Sequence, residues 1–429
     1  MIMPVEYQTM RKVWRHSVPL LMVCLLFNYL DKVNLSFAAL TMNQELGFSN
    51  TVFGAGAGFF AIGYALFAIP STLLLHRLGA RRWMSAMILA WGLCSASTAF
   101  VTTPAQLLTV RLLLGMAEAG FTPGAILYFS YWFPSEYRGR VLGLFLLIYP
   151  LGMIIGGPAA SALFLLNGVY GLASWQWLFI VEALPTLGLA LAVLFWLTDR
   201  PETARWLSFT EKYWLTERLA EEQQRIAAPA GGDSVSHSFK DSRLWTLTAA
   251  NLALSTAGIG ALIFLPLIVK SMGFSITATG WIVALPGVMA GITLPLWGIW
   301  ADRARSREMV VAFACCTIAL GLAGAAALLP SFSATAALSI AMIGFNGCLV
   351  AFWTLPSAFL RGAGAAAGIA FINIVGNMGT FTGPYLLGWL ADRTQSHAVG
   401  LTCLAIIAAI AAAIMAAQVR LRPSAAALP

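Results

Sequence analysis

Twelve times along this chain, apolar residues run on for the length of a lipid crossing before a short polar turn interrupts them. No other feature limits the fold so strongly. A helix needs about 20 apolar residues to cross the hydrocarbon core. The runs lie at roughly 17–41, 51–75, 83–103, 105–130, 139–166, 175–197, 244–270, 277–301, 309–330, 333–356, 363–390 and 397–418. A membrane barrel would need short alternating segments instead, whereas 340–355 and 401–417 carry no charge along their whole length. The spans are therefore predicted to be helical. Composition agrees: 59% of the 429 residues are hydrophobic and 10% charged, where a soluble chain has about 25% charged.

One long polar stretch, 198–243, separates two sets of six spans. Glu211, Lys212, Glu217, Arg218, Glu221, Glu222 and Arg225 recur there at helical spacing before a Gly/Ala/Ser-rich linker. It reads as a solvated surface helix and a cytoplasmic loop. The expected organisation is an all-α polytopic membrane protein, twelve transmembrane helices in two pseudo-symmetric bundles, 1–197 and 244–429. WFPSEYRGR before the fifth run and WTLPSAFLRGAG before the eleventh support the internal repeat. Two related halves around a central cavity imply a rocking transporter.

Charge placement predicts orientation. With the N-terminus cytoplasmic, 21 of the 25 basic residues fall on that side. Lys270 and Arg393 face outward, and Lys32 and Arg111 lie within spans. This asymmetry follows the positive-inside rule and explains the net charge of +8 without nucleic acid. Arg11, Lys12 and Arg15 precede a first run of full spanning length, so a retained first helix is expected rather than a cleaved leader. The six cysteines sit in apolar runs at no metal-ligand spacing and read as core residues.

Five ionisable residues interrupt the spans: Asp31, Lys32, Arg111, Glu118 and Glu182. Each costs about 2.5–3.5 kcal/mol at the bilayer centre on insertion scales, so they should face each other or a watery cavity. Arg111 and Glu118 are two turns apart and share a helix face. The alternative is a set of structural ion pairs, and for Glu182, just past Trp175 and Trp177, that structural reading is preferred. The C-terminal spans offer neutral groups instead: Asn251, Asn346, Asn373, Asn377 and Thr380. An intramembrane asparagine serves as interhelical glue, but Asn373 and Asn377 share a face. Gly54/Gly58, Gly152/Gly156 and Gly379/Gly383 have the spacing of close helix packing. Gly298 with Asp302 and Arg303 can form a charge latch. No P-loop, dinucleotide fingerprint or paired-histidine metal motif occurs, so no cofactor, metal or direct use of ATP is expected.

NYLDKVNLSFAAL, GYALFAIPSTLLLHRLGARRW, RLLLGMAEAGFTPGAILYFSYWFP, GWIVALPGV and INIVGNMGTFTGPYLLG resemble the major facilitator superfamily, and within it the anion:cation symporter family. ASWQWLFIVEALP and DRPETARWLSFTEKYWL look most like its tartrate and 4-hydroxyphenylacetate permease branches. The resemblance covers nearly the whole chain. It implies proton-coupling carboxylates at Asp31 and Glu118 with Arg111 beside them. It places substrate contacts at Tyr29, Lys32, Tyr64 and a span-11 asparagine, Asn373 or Asn377; Tyr149 and Trp353 are further candidate contacts, and Arg77, Arg81, Asp302 and Arg303 a candidate gating latch. Three departures stand out. Lys32 replaces an arginine, turning a bidentate fork into a point charge. His76 stands where the loop between spans 2 and 3 usually has aspartate. Tyr149 stands where sugar-acid members place an amide, which favours a smaller or aromatic carboxylate.

The expectation is proton-coupled uptake of a small organic anion by a monomer in a bacterial inner membrane, both termini cytoplasmic. An organic-anion exchanger and a sodium-coupled carrier remain alternatives. A non-transporting sensor would carry a long effector extension, and a membrane enzyme would show a nucleophile or metal cluster.

Overall fold

A computed structural model describes residues 5–226, 235–304, 306–356, 359–360 and 362–420. Helices occupy all twelve predicted places. Ten are long and apolar enough to cross a membrane by length and composition. The other two are span 3 (Ala80–Thr98), whose first turn carries Arg81 and Arg82, and span 11 (Gly362–Thr394). Spans 1 and 2 are Val5–Leu46 and Asn50–Leu78. Spans 4 and 5 are each two helices: Pro104–Glu118 with Phe121–Trp132, and Ser135–Leu146 with Ile148–Leu163. Span 6 is Ser174–Trp196 and span 7 is Ser242–Ser271. Spans 8, 9, 10 and 12 are Ile276–Arg303, Arg307–Leu328, Ser333–Phe352 and His397–Arg420.

Local chemistry sets several of these ends. Thr103 and Gln106 form a reciprocal capping box ahead of Pro104 at span 4, satisfying amides that have no partner in the first turn. Ser275, Ser306 and Asp241 cap spans 8, 9 and 7 through their side chains. The break in span 4 follows Glu118, and a Cβ on Gly120 would overlap the Ser71 hydroxyl of span 2.

The described residues form two compact units. The first is built from 5–34, 62–152 and 176–226, and the second from 35–61, 153–175 and 235–420. Spans 1, 2 and 5 each contribute a segment to both. In the first unit the fully buried side chains include Trp91, Arg111, Phe121, Tyr128, Phe129 and Trp132. In the second unit small residues let backbones touch. A Cβ on Gly157 of span 5 would overlap the Gly280 carbonyl of span 8, and one on Gly54 of span 2 would overlap that of Pro384 in span 11. This is the close approach that small-residue spacing permits in membranes.

The polar stretch forms the helix Phe209–Ile226, followed by Val235–Lys240. The first helix is not simply solvated, as its charge pattern predicts. Glu211 is buried and pairs with Lys12 of span 1 at 2.8 Å. It also accepts from the Ser208 amide at 2.8 Å as part of a capping box. Arg138 at the start of span 5 holds Glu222 at 2.9 Å, so this helix is strapped to two spans of its own unit.

Candidate functional site

The first unit gathers the charged residues of its spans around the middle of span 1. Asp31 and Lys32 are adjacent there, so they point to different sides of the helix. Asp31 is buried and accepts a hydrogen bond from the Ser95 hydroxyl of span 3 at 2.5 Å. Lys32 is half-buried, and its Nζ lies 3.4 Å from Glu118 Oε2 at the end of the first half of span 4. Asn28, one turn before Lys32, bridges the pair. Its amide donates to Glu118 Oε2 at 2.8 Å, and its carbonyl accepts from Lys32 Nζ at 2.8 Å.

Spacing on span 4 puts Arg111 and Glu118 on one face, and Lys32 of span 1 gives Glu118 an ion partner that this spacing does not reveal. Arg111 is fully buried and acts on Asp31 and Glu118 electrostatically. Asn28 and Ser95 were not predicted. The signal for Asn28 was its i, i+4 spacing to Lys32 on a span already carrying charge.

Aromatic groups line the accessible side of Lys32. The Tyr64 ring centroid of span 2 is 5.5 Å from Lys32 Nζ, within reach of a cation–π attraction. Tyr29 and Tyr149 meet edge to face, with centroids 5.7 Å apart. Gly152 allows this, since a Cβ there would overlap the Tyr29 ring. Lys32, Tyr64 and Tyr149 all keep partial exposure. The Tyr64 ring thus lies beside the ammonium, and the Tyr29–Tyr149 pair is a second aromatic contact of the same unit.

The second unit holds the remaining predicted contacts. Asn377 donates to Asn373 at 2.9 Å, and Asn373 is exposed. Trp353 is 37% exposed and lies against Phe352. Asn251 donates to the Ile372 carbonyl at 3.1 Å, joining spans 7 and 11, so it acts as glue.

The predicted latch residues divide. Arg77 is exposed, and Asp302 and Arg303 are exposed with no ion pair among the described residues. The Arg81 amide donates to Asp199 Oδ1 at 2.8 Å. Asp199, from the DRPE segment after span 6, thus supplies a carboxylate to the start of span 3, close to where His76 replaces one. His76 Nδ1 lies 3.0 Å from the Tyr131 hydroxyl, and the Arg200 guanidinium stacks 3.6 Å from the Tyr131 ring centroid. The sequence contains Asp199 and Arg200, but nothing in their spacing ties them to the loop between spans 2 and 3.

Residues 21–384 match the family profile described as Major Facilitator Superfamily. Two Agrobacterium vitis proteins, each named "Putative tartrate transporter", are 43% and 41% identical over 98% and 97% of this chain. Those alignments cover 93% and 96% of the relatives' own lengths. The inner membrane transport protein RhmT of Escherichia coli (strain K12) is 36% identical, covering 93% of this chain and 92% of its own. Among solved structures, a bacterial homolog of the human lysosomal transporter Spinster has a TM-score of 0.77 at 18% identity, covering 95% of this chain and 97% of that one.

Proposed function

Because this chain belongs to the Major Facilitator Superfamily and is a membrane transporter rather than an enzyme, we propose that it takes up a small organic carboxylate together with protons. The observation that carries this reading is the Lys32–Glu118 pair, with Nζ and Oε2 3.4 Å apart and Tyr64 beside the ammonium. Lys32 can neutralise a substrate carboxylate while Tyr29, Tyr64 and Tyr149 engage its hydroxyls or ring. When Glu118 is ionised, it competes for the same ammonium. A proton on Glu118 removes that competitor and offsets the incoming negative charge. A ligand shifts a conformational equilibrium only through differential affinity for the two states, and a proton whose site gains or loses Lys32 provides one. Asp31, with Ser95 and Arg111 about it, is the second coupling carboxylate.

The substrate class is a hydroxylated or aromatic carboxylate. The names of the Agrobacterium vitis relatives favour tartrate, and the three phenols suit either. Asn373, Asn377 and Trp353 remain proposed substrate contacts. Arg77, Arg81, Asp302 and Arg303 remain the proposed latch, with Asp199 added. The carrier works as a monomer of the anion:cation symporter type in the inner membrane, its termini and the helix Phe209–Ile226 in the cytoplasm.

The test is uptake of labelled tartrate and 4-hydroxyphenylacetate into proteoliposomes, with and without a pH gradient. Glu118→Gln is expected to keep counterflow exchange and lose accumulation against a gradient. Accumulation equal to the parent in that variant refutes coupling through span 4. A sodium gradient in place of the proton gradient separates the sodium-coupled alternative. Uptake that needs counter-substrate inside the vesicle marks an exchanger. Orientation is checked by labelling Glu217→Cys, which is expected to react only from the cytoplasmic side.

A further inference from the structure

Span 1 carries polar residues at Asn28, Asp31 and Asn34, three positions apart. At 1.5 Å rise per residue, they cover roughly 9 Å of the helix. Each rung either meets a carboxylate or is one. Asn28 donates to Glu118 of span 4 at 2.8 Å, Asp31 accepts from Ser95 of span 3 at 2.5 Å, and Asn34 donates to Glu182 of span 6 at 2.5 Å. The coupling scheme above uses Glu118 and Asp31 and leaves Glu182 idle.

Glu182 is 8% exposed and Asn34 is 2% exposed, so the pair lies inside the unit. Its hydrogen-bond partner is a neutral amide, and it makes no ion pair among the described residues. The charged group acting on it is Asp31, of the same sign. Span 3 packs against span 6 where Gly92 meets Thr186 and Leu187, and its Ser95 and Cys94 face Asp31. The span interior of this unit holds three carboxylates, Asp31, Glu118 and Glu182, against two cations, Lys32 and Arg111. Lys32 is paired with Glu118, and Arg111 acts on Asp31 and Glu118. A third carboxylate without a third cation leaves one negative charge in excess unless a proton is held there, and an unbalanced charge in such surroundings is costly. A purely structural strut at this place needs no ionisable group, since glutamine would serve Asn34 equally well.

We propose that Glu182 is a third proton-carrying residue of this transporter, binding a proton near the outer end of the ladder and exchanging it with Asp31. The proposal rests on the proton-coupled reading. The acceptor atom is Asp31 Oδ2, which is buried and has no hydrogen-bond partner among the described residues. In the exchange, the O–H bond on Glu182 breaks and one on Asp31 Oδ2 forms, so the negative charge moves from Asp31 to Glu182. Span 6 begins at Ser174, the outer end under the predicted orientation, and Glu182 lies two turns in from it.

Two measurements on the full-length protein test this. The first is infrared titration of the purified carrier, reading the carbonyl band of protonated carboxyl groups in parent and Glu182→Gln. One titrating band is expected to vanish in the variant. The second is the steady-state accumulation of tartrate in proteoliposomes with the membrane potential clamped. At a pH gradient of one unit, each coupled proton multiplies accumulation about tenfold. Glu182→Gln is therefore expected to accumulate about tenfold less than the parent while its counterflow exchange is unchanged. Glu182→Asp, which keeps the carboxyl, is expected to recover part of the loss and so separates proton carriage from packing. A full set of parent bands in Glu182→Gln overturns the proposal, as does a lost band with parent-like accumulation. A parent that binds the proton at Glu182 but accumulates nothing under a pH gradient overturns proton-coupled uptake and the carrying role with it, while leaving the band assignment intact.

Discussion

The two units solve the problem of polarity in lipid in opposite ways. The first buries ionisable groups: Asp31, Arg111, Glu118 and Glu182 are all at or below 8% exposure. The second keeps the interior of its spans neutral. Asn251 ties span 7 to span 11, Thr256 and Thr382 hydroxyls meet at 3.0 Å, and glycines bring backbones together. Charge in a membrane is costly and is kept where it does work. The comparison therefore teaches where ionisable groups are buried inside spans: in the first unit, while the second joins its spans through amides, hydroxyls and close backbone contacts.

The largest expected effect comes from unbalancing the first unit. In Lys32→Gln, an ionised Glu118 keeps its Asn28 hydrogen bond but loses its ammonium partner, and removing one partner of a buried pair costs about 3–5 kcal/mol. Yield of folded protein is expected to fall, and anion binding by what folds to drop at least about a hundredfold, worth about 2.7 kcal/mol. Lys32→Gln with Glu118→Gln removes both charges and is expected to restore folded yield but not uphill uptake. Size-exclusion yield beside tartrate binding reads the two effects apart. A double variant that folds no better than Lys32→Gln would break the idea of a self-balanced charge pair. The mirror experiment puts a charge into the neutral unit. Asn251→Asp replaces a donor to the Ile372 carbonyl with an acceptor, and is expected to lower thermal stability while leaving the pH dependence of uptake unchanged.

Next in size are the packing contacts. Gly157→Ala sets a methyl into the Gly280 carbonyl, where overpacking costs about 1–3 kcal/mol. Gly139 of span 5, in the first unit, has nothing within 4 Å of a built Cβ. Gly139→Ala is therefore expected to be neutral, or stabilising by up to about 1 kcal/mol through helix propensity. A pair of melting curves decides. Equal effects at the two glycines would mean that the Gly157–Gly280 approach leaves room for a methyl group.

A smaller effect is expected at Asn377. It bonds Asn373, and neither residue can ionise. Asn377→Ala should raise the KM for tartrate several-fold, leaving the pH dependence of uptake unaltered. A changed pH profile would place coupling in the second unit and undo the comparison.

How much of this was legible beforehand depended on distance along the chain. Hydropathy located all twelve helices, because spanning length and apolarity are local properties. The breaks at Ala119–Gly120 and Leu147 were not legible, since continuous apolar runs conceal them. The five charges within spans were legible as a set, because an ionisable residue in a span needs a reason. Their partnership was not. Helical spacing relates Arg111 to Glu118 on one helix, but it says nothing of a lysine on another, and Lys32 is the residue that pairs. Likewise, the charge pattern of 209–226 marks a surface helix without revealing that Glu211 turns inward to Lys12. Asp199 was hidden for the same reason, lying far in sequence from the loop between spans 2 and 3 that it serves.

The smallest expected effect concerns that inward turn and tests whether ionic contacts outside the membrane matter at all. Glu211 is buried, which alone would raise its affinity for a proton. Hydrogen bonds from Lys12 and Ser208, together with the Lys12 charge, outweigh this and hold its pKa below the ordinary 4.5. Lys12 is half exposed at its side chain, so solvent screens the pair and its worth is at most about 1 kcal/mol. Because the folded value is depressed, the contribution is fully present above about pH 4.5 and is lost as pH falls through the folded value. Lys12→Ala is thus expected to lower the melting temperature of the purified carrier slightly at neutral pH, with the gap to the parent closing as the medium is acidified below 4.5. The same variant should transport at the parent rate, since this strap lies apart from Lys32 and Glu118. A gap that widens in acid would show that Lys12 stabilises the fold through something other than an ionised Glu211. A loss of gradient-driven uptake would show that the surface helix takes part in the transport cycle, and charge handling would then extend beyond the buried cluster of the first unit.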